Sequence, residues 1–564
     1  MVREKAIPYF FRGTFHRQIL PWGLPFLLLL PGAGHASAAA APAPALFFTD
    51  ITSGPNTGGQ DNLGAFITLY GEGFGATRGS STVTIGGVEV ARYVTWGQDN
   101  APARQLDMIV VQPGSAALSG AIVVTVGGAP SNPLPFTVRN GQIYFVIPDA
   151  GNAGDGNPGT YLLPFKSLYR PRQVMQPGDI SYIKGGTFNI ADPDFPGWDT
   201  ILLLSPDPFA NGTSSAPIAY IGYPGHRPVL GSPTLRRGIY MDGAIAYFVI
   251  ANWEFTQHAG NMELTGVGHR IVGNYSHDGI NGEGCVIGVA GNSSQLKIFG
   301  NFMRDNGETG DASGHALYIQ GFGTNQDIDF GWNQVKDHRG RRAIQLFGHQ
   351  NGDFMDNIRI HDNLLSGSMR NNILLGGSDG TTEVIGTIYI ENNIIVGADW
   401  EGLRINDPQG TVTIRNNVLY NNGTLGVDGN HSQIFLERAG AGRITLQNNI
   451  VYAESGQTYY GFGAGVDSSA FHSVGNNLVF NAGTCPAWDT TCVHGNPLFA
   501  SAASMDFRPS AGSPAIDAGI ATGISRDYSG IARPQGSSYD IGAHEYFTGT
   551  APVYHKVLLP LLLR

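Results

Sequence analysis

Between about Gly273 and Phe480, apolar and polar positions alternate in short phrases that return at a nearly constant interval. One set reads DIDFGWN, NIRIHDN, TIYIENN, TVTIRNN and RITLQNN; a second reads ALYIQG, AIQLFG, NILLGG, GLRIND and QIFLER. Period-2 alternation predicts strands with one buried face, and no helical period of 3.6 residues competes with it. In the second set, Leu317, Ile344, Ile373, Leu403 and Ile434 form one apolar column. Ile319, Leu346, Leu375, Ile405 and Leu436 form another, two residues on. Both are predicted to point into a core. Tyr318, Gln345, Leu374, Arg404 and Phe435, then Gln320, Phe347, Gly376, Asn406 and Glu437, are predicted to face outward.

One asparagine marks each return: Asn274, Asn301, Asn333, Asn363, Asn393, Asn417, Asn449 and Asn477. Two or three short strands in a period of about 30 residues describe the coil of a parallel β-solenoid. Stacked coils place equivalent residues about 4.8 Å apart. The asparagine can then hydrogen-bond to its own copies, and it satisfies amides whose unpaired burial costs roughly 1–3 kcal/mol each. It is read as structural.

Composition agrees with this picture. The chain has 564 residues, of which 80 are glycine, and only 14 % are charged. That suits a turn-rich all-β protein of two or three domains. The net charge of −11 argues against a general attraction to nucleic acid. Residues 1–38 read as a signal peptide: a basic start, the apolar PWGLPFLLLLPGAG and a small-residue site at Ala36-Ser37-Ala38. Residues 39–45 read as a linker, and the expected location is secreted or cell-surface. The tail, 547–564, ends in an apolar run too short to span a bilayer, so no transmembrane segment is expected. Cys485 and Cys492 can close a small loop in an oxidising compartment, whereas Cys285 reads as a packed apolar residue.

Residues 46–140 carry short strands at close spacing, which predicts a small β-sandwich. The phrases DITSGPNTGG, ITLYGEGFG, VTIGGVEV and VTVGGAPSNPLPFTV resemble the immunoglobulin-like IPT/TIG module. That resemblance implies a spacer or binding unit. Residues 141–495 open with DGNPGT, PFK, PGD and KGGTF, which resemble the entry segment of the secreted pectate-lyase-like superfamily. This implies a right-handed parallel β-helix and a helical plug around Phe165–Met175, which Pro171 is expected to interrupt. Residues 496–546 resemble a terminal module of such proteins and are expected to cap the far end. Its acidic residues Asp506, Asp517, Asp527, Asp540 and Glu545 either bind a metal or, as the recurring turns favour, shape turns.

Charge concentrates between about His277 and His431. Three and four residues after the asparagine stand His277-Asp278, Arg304-Asp305 and Lys336-Asp337. These aspartates either cap turns beside basic neighbours or hold calcium, with Asp305 and Asp337 as the candidate ligands. Where the second strand phrase begins, one column is predicted to hold Glu283, His315, Arg342, Asn371, Glu401 and Ser432. The column before it holds Arg341, Arg370, Trp400 and His431. The run from Lys336 to Arg342 carries four Lys or Arg in a chain with few charges, a density that suits sugar carboxylates or sulfates. Tyr318, Phe347 and Trp400 can stack on sugar rings, beside Arg341, Gln345, Arg370 and Arg404.

The expected partner is therefore an acidic polysaccharide, engaged by a monomer. If the chain is an enzyme, β-elimination on a uronic acid fits these groups. Lys336, Arg339 or Arg342 would act as base or stabiliser and His315 as base or acid. The Gly-His-Gly pattern of polygalacturonase-like hydrolases is missing, because Ala316 follows Gly314-His315. A non-catalytic glycan-binding surface protein is the alternative.

Overall fold

Between Ile180 and Phe462, successive coils of the chain each give one short strand to each of three parallel sheets, and single strands extend the first two sheets at the ends. The computed structural model describes residues 42–97, 106–258, 260–280, 285–307, 314–338, 340–377, 383–427 and 429–549. The expected signal segment, most of the tail, Glu283 and Arg339 lie outside the described residues. The expected linker is shorter than predicted, since a strand already begins in Ala45–Thr49.

The first sheet runs from Ile143–Val146 to Phe471–Gly475, the second from Thr187–Phe188 to Val493–His494, and the third from Thr200–Leu204 to Thr458–Phe462. In the third sheet Leu317, Ile344, Ile373, Leu403 and Ile434 pair in register, as do Ile319, Leu346, Leu375, Ile405 and Leu436. Both columns are buried in one continuous core. Parallel register keeps the parity of each strand from coil to coil. Tyr318, Gln345, Leu374, Arg404 and Phe435 therefore form the outward column between them.

The eight asparagines sit between the first and second sheets, all buried. Asn301 Nδ2 donates to Asn333 Oδ1 at 2.9 Å, and Asn333 Nδ2 to Asn363 Oδ1 at 3.1 Å. The pattern repeats from Asn274 to Asn477, and Asn477 Nδ2 closes it on Asp489 Oδ2 at 3.1 Å. From Asn301 onward, each Oδ1 also accepts the backbone N–H of the preceding asparagine.

Two of the three outer faces are covered over part of their length. The 45–138 sandwich has a four-stranded and a six-stranded sheet, and it shares a core with the outer face of the first solenoid sheet. Phe66 and Tyr70 pack there with Tyr182, Val249 and Val272; Tyr182 Oη donates to Phe66 O at 2.8 Å. It is not a spacer. The C-terminal module does not cap the far end as expected; it lies along the second sheet. Phe507, Ala515, Ile541 and Ala543 cover Leu364, Ile394, Val418, Ile450 and Leu478. Its acidic residues serve turns and ion pairs: Asp527 Oδ1 accepts from the Ser529 and Ile531 N–H groups, and Arg533 pairs with Glu545 at 2.6 Å.

The far end is closed instead by Trp488, packed on Phe471 and Tyr460 at ring separations of 4.5 and 4.9 Å. Its loop is tied by the Cys485–Cys492 disulfide. At the near end the plug is the single turn Arg170–Val174. Pro171 stands in the first turn of this helix and does not break it, because a first-turn residue needs no N–H partner.

Candidate functional site

The outer face of the third sheet holds a groove of about 710 Å³. Six arginines line it, Arg236, Arg237, Arg341, Arg342, Arg370 and Arg404, against the two carboxylates of Glu263 and Glu437. Arg237 bonds Glu263, and Arg404 holds Glu437 through Nε at 3.0 Å and Nη2 at 2.9 Å. Among the described residues, Arg341, Arg342 and Arg370 have no carboxylate partner. The groove is thus locally cationic in a chain whose net charge is −11.

The strand Arg342–Phe347 sets the centre. Arg342 is 7 % exposed; its Nε donates to Asn371 Oδ1 at 3.1 Å and its Nη1 to Gln345 Oε1 at 2.6 Å. Burial, then the nearby Arg341, Arg370 and Arg404 guanidiniums, lower its pKa. Asn371 in turn donates to Glu401 Oε2 at 2.5 Å, and Asn430 donates to Glu401 Oε1. Burial raises the pKa of the Glu401 carboxyl, opposed by Arg404. The Arg370 guanidinium lies 4.6 Å from the Trp400 ring centroid, a cation–π contact that holds both at the rim.

His315 pairs in register with Arg342, one coil before it, and is 4 % exposed. Among the described residues its Nδ1 has no hydrogen-bond partner. Burial first, then the cations Arg342, His338, Arg341 and Arg370, hold its pKa well below the usual imidazole range, so the ring is neutral at pH 7. Its ring centroid is 4.9 Å from that of Tyr318, whose Oη lies 2.7 Å from His349 Nε2. A neutral imidazole, a phenol and three guanidiniums without a carboxylate partner among the described residues therefore face one groove.

Nine of the candidate site residues named from sequence line this groove together: His315, Tyr318, Arg341, Arg342, Gln345, Phe347, Arg370, Trp400 and Arg404. Lys336, Asp305 and Asp337 do not. Lys336 ends the second-sheet strand Gln334–Lys336, in register with Arg304. Asp278, Asp305 and Asp337 follow such strands with φ of 50°, 50° and 49°. Short polar residues and glycine tolerate that left-handed turn, which is why Gly367 and Gly397 take over the position in later coils. Asp305 also pairs with Arg304 at 3.1 Å. Calcium takes 6–8 oxygens. These two aspartates do not supply that set, and among the described residues no group of three or more His, Cys, Asp or Glu is arranged around an ion.

The column headed by Glu283 in the sequence reading contains Cys285 at that position, paired with His315. His431 does not line the groove; its Nδ1 lies 2.8 Å from Gly423 O. Sequence reasoning also left out Arg236, Arg237 and Glu263, which precede the first asparagine phrase, and His349, which follows its strand. The Arg236-Arg237 doublet in a charge-poor chain was the available signal.

Residues 46–138 match the family model described as IPT/TIG domain, and the N-terminal sandwich is such a domain. No curated protein matches the chain. Among solved structures it is similar to the pectate lyase Pel9A, at 18 % identity and a TM-score of 0.45, over 72 % of this chain and 96 % of that one. It is similar also to XylC in complex with xylose, at 12 % identity and a TM-score of 0.40, over 71 % and 98 %. A rhamnogalacturonan lyase follows at 13 % identity and a TM-score of 0.37, over 59 % and 87 %. With TM-scores below 0.5 these are likenesses of outline, and the chemistry is carried by the groove's own residues.

Proposed function

We propose that the third-sheet groove binds an anionic, uronate-bearing polysaccharide outside the cell and cleaves it by β-elimination. The observation that carries this reading is the convergence of Arg341, Arg342 and Arg370 without carboxylate partners in an open groove. Guanidiniums left unpaired in a partly dry site are matched by a ligand carboxylate, which they bind through paired N–H donors.

In this reading the three arginines hold the uronate carboxylate and stabilise the negative charge that develops when its α-proton leaves. Neutral His315 takes that proton from C5. The C4–O bond breaks as the C4–C5 double bond forms, and Tyr318 gives its proton to the departing glycosidic oxygen. The products are an unsaturated uronide and a new chain end. Gln345 and the Asn371–Glu401 pair orient Arg342.

The non-catalytic alternative is favoured by one feature, the depth of His315 and Arg342 at 4 % and 7 % exposure. Incubation with alginate, pectate and glycosaminoglycans, with and without calcium, separates the two. New ultraviolet absorbance from unsaturated uronides, lost in H315A, supports elimination. Retained binding with no absorbance and no shortening of any polymer selects the binding protein.

A further inference from the structure

The outward column of the third sheet does not stop at Tyr318. Going back one coil at a time it continues to Gly288, Glu263 and Tyr240. Gly288 lines the groove, and nothing in its surroundings calls for glycine. A Cβ built there would meet its nearest atom at 3.8 Å, and its backbone is not in the left-handed region. Gly376 in the same groove is the opposite case: its φ is 79° and a Cβ would meet Asn406 O at 2.3 Å. Gly376 is glycine for the backbone; at Gly288 the fold would accept a side chain, and the missing one leaves a depression in the floor.

Beyond that depression stands an aromatic stack. Trp198 is 42 % exposed and leans on Tyr240 at a ring separation of 5.6 Å. Arg237, bound to Glu263, lies 4.5 Å from the Tyr240 centroid and connects the stack to the groove wall. Among the described residues no other tryptophan is this exposed. An indole held open to water and braced from behind presents a flat apolar surface of the kind that the C–H face of a sugar ring covers. Tyr240 and Tyr318 are three coils apart, about 14 Å at the parallel strand spacing.

We propose that Trp198 and Tyr240 form a distal sugar-stacking subsite, which the polysaccharide reaches by running along the third sheet over Gly288. This rests on the groove being a polysaccharide site. The arginine centre then recognises charge, and the Trp198 end recognises chain length.

The test is calorimetric binding of size-graded alginate and pectate oligosaccharides to the full chain, comparing wild type with W198A, G288L and R370A. Short oligosaccharides should bind W198A as they bind wild type, while long ones should bind W198A, and likewise G288L, about tenfold more weakly, the scale of one lost aromatic contact. R370A should weaken every length. If W198A and G288L match wild type at all lengths, the distal subsite is overturned, and the loss in R370A preserves the arginine centre. If R370A binds normally while W198A loses the long chains, the arginine reading falls and the subsite stands. If wild type binds neither series, both fall. Should G288L fail to fold, W198A, altered at an exposed site, decides alone.

Discussion

Arg342 and Glu401 stand two coils apart in one column and meet only through Asn371, which accepts from the arginine at 3.1 Å and donates to the carboxylate at 2.5 Å. The amide lets a buried cation feel a counter-charge without neutralising it. A direct Arg–Glu pair would have filled the guanidinium's donors and left less for a ligand.

Replacing Asn371 by alanine removes both bonds and leaves Arg342 Nε and Glu401 Oε2 unsatisfied. The expected cost is about 1–3 kcal/mol per stranded group in urea unfolding. Binding of acidic polymer should fall by about tenfold or more, since a misplaced anchor charge costs at least ~1.4 kcal/mol. Loss of stability with unchanged polymer binding would show that Asn371 serves only the core.

Acid response follows from His315. Its folded pKa is lowered, so between that value and the unfolded value near 6.5 only the unfolded chain takes up the proton. This part of the stability is present above pH 6.5 and is lost as pH falls through the window. His269, lowered to about 4 by burial, acts in the same sense. Asp527, raised to about 7 by burial, acts in the opposite sense: its contribution is lost as pH rises from the unfolded carboxylate value through 7. H315Q should therefore lose less stability than wild type on acidification from pH 6.5 to 4.5. If elimination occurs, the acid limb of kcat/KM should lie well below 6.5; a limb at 6.5 would mean that His315 is not the base.

Asn333 anchors the middle of the ladder, accepting from the N–H and Nδ2 of Asn301 and donating to Asn363. N333A strands groups on both sides in a dry setting, and a loss on the order of 2–5 kcal/mol is expected from several unmade bonds. Thermal unfolding checks it. A loss below 1 kcal/mol would mean that water enters and replaces the amide.

At Asp337 the backbone, with φ of 49°, sets the requirement. D337G should fold and melt like wild type, whereas D337V should cost about 1–2 kcal/mol, the penalty of a branched side chain in the left-handed region. Both should bind polymer equally with and without calcium. Calcium-dependent binding that D337G abolishes would restore the metal reading of this turn.

The apolar columns were legible in the sequence because a parallel stack repeats each strand's parity, so Leu317 and Ile319 announce Ile344 and Leu346. The same counting found Tyr318, Arg341, Arg342 and Arg370. It failed across turns. Lys336 ends a second-sheet strand and Arg342 begins a third-sheet strand, and the corner between them changes which face a residue joins. The closeness of Lys336 to the arginines in sequence did not carry it into the groove. It failed also before Asn274: with no earlier asparagine as a marker, Trp198, Arg237 and Tyr240 carried no register by which to join them to Tyr318. Long-range covering was invisible, since nothing in Phe507 or Ile541 states that they will lie on Val418 and Ile450.

Every amide in the asparagine ladder donates in the same sense, from Asn274 toward Asn477, so their dipoles add along the solenoid axis as peptide dipoles add along a helix. The hydrogen-rich end is met by the Asp489 carboxylate and the oxygen end by the Trp253 N–H at 3.0 Å. The stack is therefore electrically directional. A coil inserted with its asparagine lengthens one dipole; a coil inserted without it creates two, with a bare donor facing a bare acceptor at the break. A repeat array of this kind can grow by whole units only, and its tolerance to duplication is written in a single side chain.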